Sequence, residues 1–374
     1  MNPFHISGYF GASTFCDRAI ETDKLINAIT NQRNVTLTSL RKMGKTALIY
    51  HILDRLKKKH GYTIFYVDIY HTTNLSDFLD KLGSELINIE NSFSAKARKL
   101  LRQFIAALSP TLTYDSLTGT PSLSFNFNSR VREEQTLVDI LNFLSSHGSN
   151  KPIVIAIDEF QQITNYPEKN IEALLRGNIQ NLKNVNFIFS GSDLSMMSAI
   201  FNNTKRPFYQ STQMMHLDKI PDKEYTKFIK KHLKAGGIKI DNSLITYILE
   251  EAQRHTYYVQ YFCNRIYSSG YTEIDEVTLK SIYSGILEEN EIYFSSYKDL
   301  LSPHQWAFLF ALAKENGVSA VTSGEFIKKY NLSNPSTIRR SIKSLLEKQF
   351  IYKKDSKYYI YNVFFRKWLS LQNF

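Results

Sequence analysis

The sequence contains very little cysteine and no long apolar run. Cys16 and Cys263 are its only cysteines in 374 residues, and they lack the spacing of metal ligands, which argues against a disulfide framework and against a zinc site. No stretch approaches the roughly 20 apolar residues that a membrane helix needs. The residues after Met1 show neither a basic start nor an apolar segment with a cleavage site. We therefore expect a cytoplasmic protein that has no membrane partner.

The overall composition is that of a folded protein with more than one domain. Hydrophobic residues make up 43% and charged residues 22% of the chain, which argues against wholesale disorder. A length of 374 residues exceeds one ordinary core and suggests two or three domains.

The positive charge is concentrated near the C-terminus. The net charge is +11, and residues 302–374 hold 12 Lys/Arg against 4 Asp/Glu, which is +8 of that total. A basic segment of this kind indicates a module that binds a polyanion. The alternative is a basic surface that serves only solubility.

A phosphate-binding loop is indicated at residues 35–49. A β-branched run is followed by Gly44-Lys45-Thr46 and then at once by the apolar periodicity of a helix. In such a loop, backbone N–H groups and a helix N-terminus surround an anion, the lysine reaches the outer phosphates, and the hydroxyl binds Mg²⁺. Because the loop binds phosphates, it does not distinguish ATP from GTP. The residues expected to contact the nucleotide are Ser39, Arg41, Lys42, Met43, Gly44, Lys45, Thr46 and Ala47.

One position departs from the usual loop. The common spacing places a glycine at position 39, where this chain has Ser39. The residues that meet the phosphates are unaffected, but the geometry of the turn is open to question.

An acidic pair follows a strongly apolar strand at residues 151–159. Five apolar residues in a row are typical of a strand buried on both faces of a parallel sheet. Ligands of such sheets bind at the carboxyl ends of the strands, so Asp158 and Glu159 should lie beside the loop. We expect Asp158 to hold Mg²⁺, directly or through water, and Glu159 to orient and deprotonate the attacking water. The alternative is a strand that ends in an ordinary acidic turn. The occurrence of this strand together with the phosphate-binding loop argues against it.

A second buried strand, at residues 185–189, leads into Ser190-Gly191-Ser192. Ser190 or Ser192 is a candidate to sense the terminal phosphate, and we assign Ser190 to catalysis together with Lys45 and Glu159. The alternative is a Gly-Ser turn that leads into the helix expected at residues 194–201, with Asp193 or Ser192 as its cap.

The last segment has the pattern of a winged helix-turn-helix. Three short helices and a basic hairpin follow one another from residue 302, and the third helix of such a module commonly enters a DNA major groove. Winged helices also dock on proteins, so DNA and protein both remain candidate partners. The residues predicted to meet DNA are Ser336, Thr337, Arg339, Arg340 and Lys343.

These patterns together predict an α/β protein with three domains. Residues 1–217 should form a P-loop NTPase core, a parallel sheet flanked by helices. Residues 218–297 show only helical patterns and should form an all-α lid. Residues 298–374 should form the winged-helix domain.

Four segments resemble the prokaryotic and archaeal AAA-like ATPases, close to the signal-transduction ATPases with numerous domains. The resemblance continues in the C-terminal half, at residues 257–260 and 361–369. The four segments are Phe15-Cys16-Asp17-Arg18 with Glu21, Arg41-Lys42-Met43-Gly44-Lys45-Thr46, Ile155-Ala156-Ile157-Asp158-Glu159-Phe160-Gln161, and Ser190-Gly191-Ser192.

The resemblance implies a nucleotide-binding sheet, a helical lid and a winged helix. It also implies that Asp17 and Arg18 lie near the adenine or ribose, and that His255, the histidine kept from a Gly-His-Pro motif of the lid, contributes to nucleotide binding. Relatives often carry Gly-Arg where this chain has Gln210-Ser211. Hydrolysis is therefore expected to be slow or to need a partner.

The function predicted from these features is that of an ATP-binding, Mg²⁺-dependent ATPase whose nucleotide state regulates binding of double-stranded DNA or a protein partner. The alternative is a slowly hydrolysing signalling or defence switch whose winged helix docks on protein. A transcription regulator with a vestigial site is disfavoured because Lys45, Thr46, Asp158 and Glu159 are all intact. A monomer, a dimer and a ring all remain open as the active form.

Overall fold

The computed structural model describes residues 1–90, 94–108, 110–114, 121–125, 127, 129–147, 151–315 and 317–372. These residues separate into two compact units, Ser7–Lys219 and Ile220–Phe374, the second of which also includes Met1–Ile6.

The first unit alternates strands and helices, with short 3₁₀ helices at Ala12–Thr14 and Phe160–Asn165. Its elements in chain order are α1 (Ala19–Thr30), β1 (Val35–Thr38), α2 (Lys45–His60), β2 (Thr63–Asp68), α3 (Leu75–Asn88), α4 (Ala95–Ala107), β3 (Thr111–Tyr114), β4 (Pro121–Ser124), α5 (Arg130–His147), β5 (Ile153–Asp158), α6 (Ile171–Ile179), β6 (Val185–Gly191), α7 (Leu194–Asn202) and β7 (Gln213–His216).

A five-stranded parallel sheet with the order β2-β5-β6-β1-β7 organises this unit. Every residue of β5 and β6 is buried, as expected for strands that are covered by helices on both faces. One face packs on α1 and α2 through residues such as Leu25 and Leu48. The other packs on α3, α5 and α7 through residues such as Leu79 and Leu141. The predicted parallel sheet flanked by helices is thus confirmed.

The strand order brings the chemically important strand ends together. β6 lies between β1 and β5, with Thr38 opposite Gly191 and Ile157 opposite Phe189. On the other side of β5, Asp68 lies opposite Asp158. The end of β6 therefore stands between the loop that follows β1 and the acidic pair that follows β5.

Smaller elements complete the first unit. Two helices, α3 and α4, follow β2 along the chain. The antiparallel pair β3–β4 comes next; residues 115–120 between its strands lie outside the described ones. The helix after β6 is capped by Asp193, whose side chain accepts from the Met196 amide. This cap is one that the turn-and-cap alternative predicts, whereas Ser190 itself is part of β6.

The second unit is mainly helical, with a 3₁₀ helix at Tyr297–Leu300. Its elements are α8 (Asp222–Ala235), β8 (Lys239–Ile240), α9 (Asn242–Glu251), α10 (Thr256–Ser268), β9 (Glu273–Ile274), α11 (Glu276–Glu289), α12 (Glu291–Ser296), α13 (Pro303–Lys314), α14 (Gly324–Lys329), α15 (Pro335–Glu347), β10 (Ile351–Lys354), β11 (Lys357–Ile360) and α16 (Val363–Leu371). The predicted winged helix is confirmed: α13, α14 and α15 are followed by the antiparallel wing β10–β11.

The last helix, α16, ties the winged helix to the helices that precede it. Phe364 packs edge-on against Tyr258, with ring centroids 4.8 Å apart, and the Lys367 ammonium lies 2.9 Å from a Glu251 carboxylate oxygen. The predicted boundary between residues 297 and 298 therefore falls inside one compact unit.

Among the described residues, no helix combines the length and the apolar character needed to cross a membrane.

Candidate nucleotide site at the edge of the sheet

The loop between β1 and α2 turns at two left-handed residues. Lys42 has φ 61° and Gly44 has φ 85°, whereas Ser39 is not among the residues with positive φ. Ser39 is fully buried, and its amide donates to the Gly191 carbonyl at 3.4 Å. The loop therefore needs no glycine at position 39 for its backbone conformation, which accounts for the departure noted in the sequence.

The remaining loop residues surround the start of α2. Arg41 is partly exposed and Lys42 is exposed, while Met43 is buried beneath them. Gly44 is the N-cap of α2, and Ala47 lies in its first turn. The helix N-terminus thus carries the positive end of its dipole at Lys45 and Thr46, as an anion site requires.

The carboxylate of Asp158 is the centre of the site. It is 2% exposed, and its Oδ1 accepts from Lys45 Nζ at 2.6 Å, from Ser190 Oγ at 2.6 Å and from the Glu159 amide at 3.0 Å. Burial alone would raise the pKa of Asp158. The Lys45 ammonium and the hydrogen bonds outweigh burial and lower this pKa to about 2.

The second oxygen of Asp158 has two further donors. Oδ2 accepts from Thr46 Oγ1 and from the Tyr66 hydroxyl, both at 2.8 Å. A hydroxyl and a carboxylate this close supply the hard oxygen ligands that Mg²⁺ takes from proteins, one or two at a time alongside substrate phosphates. The residues present therefore fit a magnesium ion, which Thr46 and Asp158 would hold.

Glu159 has an unusual backbone conformation, and its carboxylate lies near three side chains. Its φ is 56°, a left-handed value that costs a residue other than glycine of order 1 kcal/mol and marks functional sites. Its Oε2 accepts from Ser192 Oγ at 2.8 Å and from the Gln161 side-chain amide, and its Oε1 lies 3.6 Å from Lys45 Nζ. The two serines at the end of β6 thus serve different carboxylates: Ser190, inside the strand, contacts Asp158, and Ser192, just after it, contacts Glu159.

Gly191 separates these two serines, and its lack of a side chain is required. A Cβ there would lie 2.4 Å from Gln161 Oε1 and 2.4 Å from Met197 Sδ. An added methyl group would therefore push Gln161 away from Glu159.

We accordingly expect Gly191→Ala to reduce ATP turnover by at least about tenfold, since a small misplacement of a catalytic group can cost about 10²-fold. Gly177→Ala is the matched control, because a Cβ at Gly177 meets nothing within 4 Å. Steady-state phosphate release measures both variants. Unchanged turnover by Gly191→Ala would show that the position of Gln161 is unimportant.

Arg18 lies behind the loop, where it makes several protein contacts. It is 3% exposed and donates to the carbonyl of Asp218 at 2.6 Å, to Glu21 at 3.0 Å and to the carbonyl of Met43 at 3.4 Å. Asp17, with φ 51°, precedes it. The structure thus shows Arg18 fixing the loop from inside the protein, and the predicted approach of Asp17 and Arg18 to the adenine or ribose stays a prediction.

The second unit contains the remaining predicted nucleotide residue. His255 is buried at the N-cap of α10, with its ring 5.1 Å from that of Tyr258. The preceding Arg254 forms a bidentate pair with Asp222, at 2.6 and 2.8 Å. A nucleotide contact of His255 also stays a prediction.

The residues predicted to meet DNA lie at one end and one face of α15. Its buried face is formed by Ile338, Ile342 and Leu345. Asn334 caps the helix by accepting from the Thr337 amide at 3.0 Å. Of the five candidates, Thr337 is half-buried and the exposed ones are Ser336, Arg339, Arg340 and Lys343.

The sequence did not predict roles for two residues of the nucleotide site, Tyr66 and Gln161. For Gln161, its position two residues after Glu159 is a usable signal. Tyr66 lies within β2 and carries no local signal, because its contact with Asp158 depends on which strands are neighbours.

The sheet order, the loop and the acidic pair together define a P-loop ATPase. The chain belongs to the family described as an ATPase domain predominantly from Archaea, which matches residues 15–251, and it is thus an ATP-binding ATP hydrolase. Residues 292–371 match the family described as "Probable winged helix domain". No curated protein sequence matches the chain.

Solved structures share the fold at low sequence identity. The Walker-type ATPase PABY2304 of Pyrococcus abyssi is 16% identical with a TM-score of 0.66, over 99% of this chain and 100% of that one. The ORC2 protein of Aeropyrum pernix, solved as ADPNP-ADP complexes, is 14% identical with a TM-score of 0.58, over 99% and 95%. The ORC1 protein of Aeropyrum pernix, solved in complex with DNA, is 14% identical with a TM-score of 0.50, over 96% and 93%.

Proposed function

We propose that this protein is a Mg²⁺-dependent ATPase whose nucleotide state regulates the binding of double-stranded DNA through its winged helix. The observation that carries the proposal is the convergence of Lys45 and Thr46 on the carboxylate of Asp158, with Glu159 3.6 Å from the same lysine. The organisation proposed is a core at residues 1–217, a helical lid at 218–297 and a winged helix at 298–374.

Each residue of the site has one task in this proposal. Lys45 and the amides at the start of α2 bind the β- and γ-phosphates, and Thr46 and Asp158 hold the cation. When bound, Mg²⁺ would neutralise negative charge on the phosphates. Glu159 takes the proton of the attacking water. Ser190, on the strand between the loop and the acidic pair, keeps Asp158 in place and is the candidate to contact the terminal phosphate.

The proposed DNA surface rests on charge and exposure. Arg339, Arg340 and Lys343 are exposed on α15, and within the described part of the chain no carboxylate pairs with any of them. The wing adds Lys353 and Lys357, both exposed. Such a face suits phosphate contacts on both sides of a groove. The DNA complex of the similarly folded ORC1 protein supports the same use of the fold.

The compactness of the second unit supports coupling between nucleotide and DNA. α16 joins the winged helix to α9 through Lys367 and Glu251, and to α10 through Phe364 and Tyr258. We therefore expect these parts to move together. A nucleotide that prefers one position of the helical lid would then shift the population of winged-helix positions by its differential affinity.

The DNA assignment predicts a salt dependence that two substitutions reduce. Binding of a labelled duplex of mixed sequence, followed by fluorescence anisotropy between about 50 and about 200 mM salt, should weaken steeply. Arg339→Ala and Arg340→Ala should each lower the logarithmic salt slope by about 1. Lys230→Ala, an exposed lysine of α8, is the control that should leave the slope unchanged. Repeating the titration with ATP and with ADP measures the proposed regulation.

A protein partner is the second candidate, and a specific cavity favours it. About 480 Å³ of space lies between α15 and the wing. It is lined by the apolar residues Val321, Ile342 and Leu346, by the cations Arg339, Lys343 and Lys353, and by one carboxylate, Glu347. This combination suits an acidic peptide with an apolar side chain. Absence of duplex binding at low salt would overturn the DNA assignment and favour such a peptide.

A further inference from the structure

We propose that Tyr66 is a positioning residue of the ATPase site, and that its hydroxyl orients Asp158 for Mg²⁺. The inference rests on the magnesium site of the proposed function. Its basis is the 2.8 Å hydrogen bond that the Tyr66 hydroxyl donates to Asp158 Oδ2.

Strand geometry explains how Tyr66 reaches Asp158. Tyr66 of β2 lies opposite Ala156 of β5, two residues before Asp158. Side chains two residues apart on a strand point to the same face, so the three side chains share the face that α2 covers. The small side chain of Ala156 leaves room for the phenol ring to extend diagonally to Asp158.

The ring of Tyr66 is held in place from the helix side. Tyr50 of α2 packs against it, with ring centroids 4.5 Å apart and an angle of 36° between the planes. The phenol thus lies between a strand of the sheet and the helix that begins at the phosphate loop. Its hydroxyl has little freedom to turn away from Asp158.

Tyr66 differs from the other donor on the same oxygen. Oδ2 accepts from Thr46 and Tyr66, but Thr46 is also the hydroxyl assigned to the cation. Thr46 would thus contact the cation itself, whereas Tyr66 would act on it only through the orientation of Asp158. Outer partners of metal ligands of this kind typically change metal affinity by about 10- to 100-fold.

The test is the magnesium dependence of nucleotide binding by Tyr66→Phe, which keeps the ring and removes only the hydroxyl. Equilibrium binding of a fluorescent, non-hydrolysable ATP analogue is titrated with Mg²⁺ and repeated in EDTA. We expect the Mg²⁺ concentration for half-maximal enhancement to rise about tenfold, with binding in EDTA unchanged. ATP turnover should be low at limiting Mg²⁺ and recover in excess Mg²⁺, a rescue that a purely structural defect would not show.

Tyr50→Phe is the matched control. It removes a phenol hydroxyl from the stacked partner ring, and within the described residues that hydroxyl does not bond to Asp158. Its magnesium curve should coincide with that of the wild type. Coincidence of the Tyr66→Phe curve with the wild type would overturn the role of Tyr66 while leaving the ATPase proposal intact. Absence of any Mg²⁺ enhancement in the wild type would overturn the magnesium site itself. Enhancement in Asp158→Asn equal to that of the wild type would remove Asp158 from the site.

Discussion

Glu159→Gln is expected to lower ATP turnover by about 10²- to 10⁴-fold, the usual contribution of a positioned general base, while leaving ATP affinity within about threefold. The glutamine has the size of the native side chain and still offers an oxygen to Ser192 and Gln161, which hold Glu159 in the wild type. It cannot take a proton from water. Single-turnover hydrolysis and equilibrium binding of ATP measure the two quantities separately.

A glutamate away from the site provides the control for this substitution. Glu134 pairs with Arg130 one turn earlier on α5, 3.0 Å apart, and Glu134→Gln removes a charge without touching the loop or β6. Its turnover should equal that of the wild type. Equal turnover by the wild type and Glu159→Gln would remove Glu159 from the role of base, and Lys45 and Asp158 would then account for whatever hydrolysis occurs.

The strands of the core were predictable because their signal is local. β5 is apolar at every position but Asp158, and β6 has the apolar residues Val185 and Phe187–Phe189, as strands buried on both faces typically do. β7 was missed because Gln213–His216 is a polar edge strand whose residues alternate between half-buried and exposed. α16 was missed because its aromatic residues, such as Phe364 and Phe365, are as typical of strands as of helices.

The residues of the candidate site likewise fall into those with a local sequence signal and those without one. The pairing of Lys45 and Thr46 with Asp158 follows from the rule that strand ends of a parallel sheet meet at one edge. The roles of Tyr66 and Gly191 depend on the order β2-β5-β6 and on register, which no local pattern specifies. The approach of Asp17 and Arg18 to the adenine or ribose, which only the resemblance implies, stays a prediction; in the structure Arg18 contacts the carbonyl of Met43.

Lys45→Ala is expected to weaken ATP binding beyond detection and also to destabilise the protein without nucleotide. The first effect follows from loss of the charge that reaches the outer phosphates. The second follows because Asp158, 2% exposed, loses its cation; breaking a buried ion pair from one side costs about 3 to 5 kcal/mol. Urea unfolding and equilibrium ATP binding measure the two effects, and Lys58→Ala, on the exposed side of the same helix, is the control for both.

The instability should depend on pH in a definite direction. In the wild type the pKa of Asp158 is lowered from 3.8 to about 2. Its ionised form therefore stabilises the fold above about pH 4, a contribution that disappears as the pH falls through about 2. Without Lys45, burial is left to raise this pKa, so an unpaired carboxylate burdens the variant at neutral pH and is protonated in acid. The stability difference between wild type and Lys45→Ala should consequently shrink from pH 7 towards pH 4.

Adding Asp158→Asn to Lys45→Ala separates binding from folding. The asparagine carries no charge, and its one side-chain oxygen can still accept from Ser190, whose hydroxyl donates to Asp158 Oδ1 in the wild type. The double variant should therefore recover much of the lost stability, as expected when the stranded charge is the cause. It should still fail to bind ATP, because the phosphates have lost their lysine. A stable double variant without ATP affinity, measured in EDTA beside an Asp158→Asn single variant that still binds ATP, would assign Lys45 directly to the nucleotide. ATP binding by the stable double variant would instead show that Lys45 serves only to neutralise Asp158.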